Sequence, residues 1–345
     1  IFFFLLNFVS AQNLEIRMSD GLAPFFDSQK EIKHFSNIPF EQLDSDVAPF
    51  VDTWQFEAII PRFQTYVQNL KEAWYNAIAL DDLNHLILLD KYWIYKDFDI
   101  YARNKYYIDY YNRLIKIAKD NGISVYIKTD MQFFTDKIED YAGKLDWDNP
   151  KLQELDKSAF EEIFQNLPWI SWIVMRIWEW WKAYNSKYYY SKILYTTSNQ
   201  VNQLLQNLLP VFQRYDKKLI FRTWTIWIWQ IWDLITNPKT YDQTFKEIDS
   251  PNIIISTKYT PWDFFRRKDD NPLIGYWSLP QIVEFEVRRE YEWWWDFPNY
   301  IGDEYQSFLQ KIKSKNNIVW LRNRNQEWWW WFGKHVLFNF WFNFW

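Results

Sequence analysis

The stretch Tyr107–Lys128, YIDYYNRLIKIAKDNGISVYIK, reads as a complete helix-to-strand unit. Apolar residues recur at helical spacing through Tyr107–Asp120, Asn121-Gly122 stops the helix, and Ile123–Lys128 is a β-rich run. The same grammar extends in both directions. Upstream, Tyr75–Asp82 (YNAIALDD) reads as a strand after a helix around Phe63–Ala73. Downstream, strands are expected at Trp172–Ile177, Leu219–Thr223, Asn252–Lys258, Ile282–Val287 and Ile318–Arg322, and His34–Phe40 is the expected first strand. Eight strands alternating with helices predict an α/β protein, a (β/α)8 TIM barrel rather than an open doubly wound sheet. No GxGxxG or P-loop pattern is present, which weighs against nucleotide binding. No linker rich in Pro, Gly or Ser interrupts the alternation. The expectation is a single barrel domain over residues 35–345, with a lead-in at 12–34.

Residues Ile1–Ala11 (IFFFLLNFVSA) form an apolar run ending in small residues. They read as a signal-peptide remnant, and the chain as exported: periplasmic, cell-surface or secreted. The run is too short to span a bilayer, so no stable membrane insertion is expected. With no initial Met and an apolar stretch at the far end, both ends read as truncated.

Composition narrows the chemistry. The chain has 345 residues, a net charge of −5 and no Cys, which excludes a disulfide, a thiol nucleophile and a Cys-ligated metal. Its histidines, His34, His85 and His335, lack metal-ligand spacing. No metal and no cofactor is expected. The Lys and Arg residues are dispersed, which disfavours nucleic acid as a partner.

In a barrel of this type, chemistry belongs at the C-terminal ends of the strands. The polar groups there are Asp81, Asp82 and Asn84; Lys128 and Asp130; Arg176 and Glu179; Arg222; Lys258 and Asp263; and Arg288, Arg289 and Glu290. Any one of them could be a solvated loop charge or a salt bridge across the barrel mouth. Three carboxylates, Glu179, Asp263 and Glu290, follow three separate strands. Glycoside hydrolysis needs such a set: an acid to protonate the leaving oxygen and a carboxylate to activate water or attack carbon. Arg222 and Lys258 supply positive charge suited to a substrate carboxylate, which Arg binds bidentately. Their spacing fits equally well with simple neutralisation of the carboxylates.

Two segments carry a resemblance. NIIISTKYTPWDFFR (Asn252–Arg266) and IVEFEVRREYEW (Ile282–Trp293) resemble motifs of the α-glucuronidases of glycoside hydrolase family 67. Lys258 and Asp263 keep that family's five-residue spacing, with Pro261 and Phe264 in place. Glu284, Phe285, Glu290 and Tyr291 match its next strand. IVMRIWEWW (Ile173–Trp181) is similar to the strand that carries its general acid, while Tyr75–His85 and Asn121–Phe133 resemble its early strands. The resemblance spans about residues 60–300. It implies a barrel acting on an oligo- or polysaccharide, with inversion at an α-linked glucuronic acid or similar uronate. Glu179 would protonate the leaving oxygen, and Asp263 and Glu290 would activate water. Lys258 and Arg222 would hold the uronate, with Arg176, Asp82 and Asn84 as further substrate-binding candidates.

Departures from the family are plain. There is room for neither its N-terminal β-sandwich nor its C-terminal helical region. Asp81-Asp82 replaces an Asn-Asn pair, and Arg288-Arg289 adds charge. The alternatives are a catalytically inactive carbohydrate-binding barrel and a lyase or epimerase.

The chain has 25 Trp and only 6 Gly, where average usage gives about 24 Gly. Trp178, Trp180 and Trp181 flank Glu179, while Trp227, Trp229, Trp232 and Trp293–Trp295 lie by other strand ends. Face value makes them platforms for sugar rings. The joint KEAWYNAIAL argues otherwise, because Trp74 stands where KDNGISVYI has Gly122, a helix-ending position that commonly takes positive φ. Many of these Trp read as glycines, as when a UGA codon decoded as Gly is translated as Trp. Trp224 and part of Trp328–Trp331 read as genuine.

Overall fold

The computed structural model describes residues 16–21, 40–131, 133–177, 187–225, 228–262, 269–276, 278–286, 302–312, 314–315 and 317–325. The apolar run Ile1–Ala11 and the three carboxylates Glu179, Asp263 and Glu290 lie outside these residues.

Eight parallel strands close into a barrel: β1 (Arg17–Gly21), β2 (Ala77–Asp81), β3 (Ser124–Met131), β4 (Ile173–Ile177), β5 (Leu219–Arg222), β6 (Ile253–Lys258), β7 (Gln281–Glu286) and β8 (Ile318–Asn325). Each pairs with its sequence neighbour, and β1 pairs with β8 to close the ring. The main helices are α1 (Thr53–Glu72), α2 (Asp99–Asp120), α3 (Asp136–Ala142), α4 (Pro150–Asn166), α5 (Ser198–Arg214), α6 (Pro238–Phe245) and α7 (Gly302–Ile312). The (β/α)8 expectation is met, and seven strands fall where the sequence places them. The first does not. It is Arg17–Gly21, inside the stretch read as a lead-in, and not His34–Phe40. Phe40 instead opens a short 3-10 turn and stacks on His85, ring centroids 3.6 Å apart.

Strand alternation sorts the residues into two cores. Met18, Ala77, Ala79, Tyr126, Val174, Ile220, Ile254 and Ile282 point inward and fill the barrel floor. This is a packed interior and not a pore. The intervening residues face the helices. In α5, Val201, Leu204, Leu205, Leu208 and Phe212 are buried at helical spacing, and Thr197 and Gln200 form a reciprocal capping box at its start.

Three helix-to-strand joints share one geometry. At the end of α2, Gly122 N–H donates to the Lys119 carbonyl and Ile123 N–H to that of Ala118. At the end of α1, Trp74 donates to Lys71 and Tyr75 to Leu70; after α5, Asp216 donates to Gln213 and Lys217 to Phe212. This paired pattern puts the capping residue in the left-handed region. Gly122 has φ 76°, Trp74 φ 64° and Asp216 φ 51°. Gly takes this conformation without strain and Asp tolerates it, but a Trp side chain is opposed by it. The Trp74 side chain is 58% exposed, so burial offsets little of this. Trp54, Trp93, Trp169 and Trp229 are also more than half exposed, whereas Trp224 is buried.

Candidate active site at the barrel mouth

Above the apolar floor, the inward positions change character. Asp20 follows Met18 on β1, Asp81 follows Ala79 on β2, and Lys128 and Asp130 follow Tyr126 on β3. Arg176, Arg222 and Glu284 continue the layer on β4, β5 and β7, with Ser256 and Lys258 on β6. All of these except Lys128 are buried. Charges this deep are tolerated only when paired.

The pairs are local. Lys128 Nζ lies 2.9 Å from Asp20 Oδ1 and 3.1 Å from Asp81 Oδ2. Arg176 donates Nε and Nη2 to the two oxygens of Asp130, both at 2.7 Å. On the opposite side, Arg222 donates Nε and Nη2 to Glu284 at 2.7 and 2.8 Å, and the Ser256 hydroxyl donates to the same carboxylate at 2.8 Å. Lys258 Nζ sits 3.4 Å from the centroid of the Trp224 ring, a cation–π contact.

The structure thus brings Arg176, Arg222, Lys258 and Asp82 to the mouth. It also shows what the first two do there. The bidentate edge of each guanidinium, which the sequence reading offers to a substrate carboxylate, is held by a protein carboxylate. Arg222 keeps Nη1, which has no hydrogen-bond partner among the described residues.

Asp82 follows β2 directly and is 4% exposed, and its Oδ1 has no hydrogen-bond partner among the described residues. Burial, with the neighbouring charges of Asp81 and Asp130, holds its carboxyl well above the usual carboxylate range. The turn after it is pinned from α2. Arg103, 1% exposed, donates Nε to Asp44 at 2.7 Å and Nη1 to His85 Nδ1 at 2.9 Å. Asn104 Nδ2 donates to the carbonyls of Asn84 and Ile87. Asn84 is anchored by its backbone, and it lines a cavity of about 50 Å³ beside the mouth together with Met131, Phe133, Phe160, Asp156 and Tyr195. Burial raises the Asp156 carboxyl to about 7.

Glu179 follows the end of β4 by two residues, Asp263 the end of β6 by five and Glu290 the end of β7 by four. Sequence reasoning missed Asp20. The available signal was the alternation of Met18 and Asp20, too short to stand out in RMSDG.

No family model and no curated protein matches this chain. Solved structures do. A glycoside hydrolase family 138 enzyme targeting pectin rhamnogalacturonan II aligns over 90% of this chain at 12% identity, TM-score 0.57; the chain spans 34% of that enzyme's length. A family 20 catalytic module of the pneumococcal exo-β-D-N-acetylglucosaminidase aligns over 96% of this chain and 84% of its own, at 8% identity and TM-score 0.51. A family 5 protein of Bifidobacterium longum, in complex with Manβ1-4GlcNAc, aligns over 89% and 68%, at 10% identity and TM-score 0.51. At these identities the likeness establishes the barrel fold alone, and none of the three belongs to family 67.

Proposed function

We propose that this barrel is a glycoside hydrolase that removes an α-linked glucuronic acid, or a similar uronate, from an acidic glycan with inversion. One observation carries the reading: the described charges of the mouth are split by sign. Around β1–β4, the carboxylates Asp20, Asp81 and Asp130 face the cations Lys128 and Arg176. Around β5–β7, the cations Arg222 and Lys258 face the single carboxylate Glu284. A sugar carboxylate would be met on that side by Lys258 and by Arg222 Nη1.

Glu179 is then the general acid, and Asp263 and Glu290 activate the water. Inversion asks for about 6.5–9.5 Å between the acid and base carboxyls. The family 67 resemblance supports the uronate, and the neighbour that targets a pectin polysaccharide is in keeping with an acidic glycan. Export, read from Ile1–Ala11, belongs to the same proposal.

The test is turnover of glucuronoxylo-oligosaccharides by the chain with glycines restored at the loop tryptophans, beside its Glu179→Gln variant. The expected loss in kcat is about a hundredfold or more, and a loss below about tenfold removes Glu179 as the acid. Proton NMR of the first released sugar is expected to show the β-anomer, and net retention contradicts the mechanism.

A further inference from the structure

We infer that the cavity between α4 and the loops after β2, β3 and β4 is a binding site for a small primary ammonium ion, with Asp156 as the counter-ion. It uses none of the paired charges of the mouth and does not depend on the hydrolytic reading. The sequence of α4 carries the first sign. Leu152, Leu155, Ala159 and Phe160 recur at helical spacing, and all are buried. Asp156 falls inside this stripe, where packing alone favours an apolar residue. The elements facing the stripe do not close on it at this point. Leu83 and Leu89 follow β2, Phe133 belongs to the short antiparallel pair Phe133–Phe134 with Tyr190–Ser191, and Tyr195 follows β4. Together with the stripe they line the cavity of about 50 Å³, and Asp156 lines it too. Space on this scale holds roughly three to five water-sized groups.

Charge and wall chemistry select the occupant. The Tyr195 hydroxyl donates to Asp156 Oδ2 at 3.4 Å, a long bond. Burial opposes ionisation of this carboxyl, and no cation among the described residues offsets it. Lys157, the next residue of α4, is held by Glu154, and Lys192 Nζ donates to the Leu145 carbonyl. The Asp156 side chain is nevertheless only partly buried, so the carboxyl can be reached from the cavity. An ammonium ion supplies the missing positive charge in a charge-assisted hydrogen bond. Its alkyl part meets the leucine and phenylalanine walls, and the rings of Phe133, Phe160 and Tyr195 favour a cation over an anion. A hydroxyl of the same size brings no charge and leaves the carboxylate without a counter-ion.

Ligand-observed NMR titration of the full chain with ethylammonium chloride at pH 8 tests it, with ethanol as the neutral probe of matching size. Saturable binding in the millimolar range is expected for ethylammonium, the affinity open to so small a ligand. Ethanol should bind about tenfold more weakly or worse, and so should ethylammonium to Asp156→Asn, which keeps the shape of the site and removes its charge. Circular dichroism checks that this variant is folded. Ammonium chloride, which lacks the two carbons, should also bind about tenfold more weakly than ethylammonium. The inference is overturned if wild type shows no saturable binding of ethylammonium. It is equally overturned if ethanol matches ethylammonium, or if folded Asp156→Asn binds ethylammonium within threefold of wild type.

Discussion

The two halves of the barrel mouth solve the same problem differently. Around β1–β4, Lys128 is shared between two carboxylates and Arg176 is clamped by a third, with Asp82 added as a buried acid. Around β5–β7, Arg222 is clamped by Glu284, and Lys258 rests against the Trp224 ring. Among the described residues, one half holds more carboxylates than cations and the other more cations than carboxylates. Pairing within each half keeps the layer foldable.

Breaking the less redundant half has the largest expected effect. Glu284→Ala leaves Arg222, 2% exposed, without its carboxylate and should cost about 3–5 kcal/mol. Urea denaturation measures it, and a cost below about 1 kcal/mol would show that the pair is solvated. The redundant half should yield less. Asp20→Asn leaves Lys128 with Asp81, and a loss of about 1–2 kcal/mol is expected by the same method.

Acid behaviour sharpens the contrast. Asp156 and Glu162, both on α4 behind the β1–β4 half, are raised to about 7, first by burial. Glu162 accepts the backbone N–H groups of Leu88 and Leu89, which follow the turn after β2. A carboxyl whose folded pKa exceeds its unfolded value near 4 binds more protons in the native state between those limits. Its contribution to stability therefore falls as pH rises from about 4 to about 7. Asp156→Asn should gain on wild type in urea midpoint between pH 5 and pH 8, and a constant difference contradicts the assignment.

The smallest effects lie beneath the mouth, at the joints that feed its strands. Trp74 and Gly122 cap neighbouring helices with the same pair of hydrogen bonds and nearly the same φ. Trp74→Gly should raise stability by about 1 kcal/mol, and Gly122→Ala should lower it by about 1–2 kcal/mol. A Cβ built on Gly122 meets nothing within 4 Å, so any loss there is conformational. If glycine is the native residue at Trp74 and at similar turns, the intact mass of the natural protein falls below that of the printed chain.

Much of the barrel was legible because its strands are apolar runs framed by helices with clear periodicity, as in Tyr107–Lys128. The first strand was not. Arg17–Gly21 holds one inward apolar residue, Met18, and its other anchors are polar: Asp20 on Lys128, Ser19 on the Tyr66 hydroxyl, and Arg17 on Asn76 and the Trp74 carbonyl. Strand ends were enough to place Arg176, Arg222 and Lys258 at the barrel mouth. They could not reveal that Arg222 and Glu284, 62 residues apart, clasp each other across the intervening strand, because that depends on the register of three parallel strands. Asp82 was found by position, but its unpartnered oxygen emerges only from the packing of α2 and β3 around it.

The central proposal is that Lys258 and Arg222 select a uronate. The direct measurement is the ratio of kcat/KM for an aryl α-glucuronide to that for the matching aryl α-glucoside, in wild type and in Lys258→Met. The account predicts a wild-type preference for the glucuronide that drops by roughly 10–100-fold in the variant, the range of one charge-assisted contact. Equal turnover of the two glycosides by wild type, or a preference that survives Lys258→Met, would contradict it.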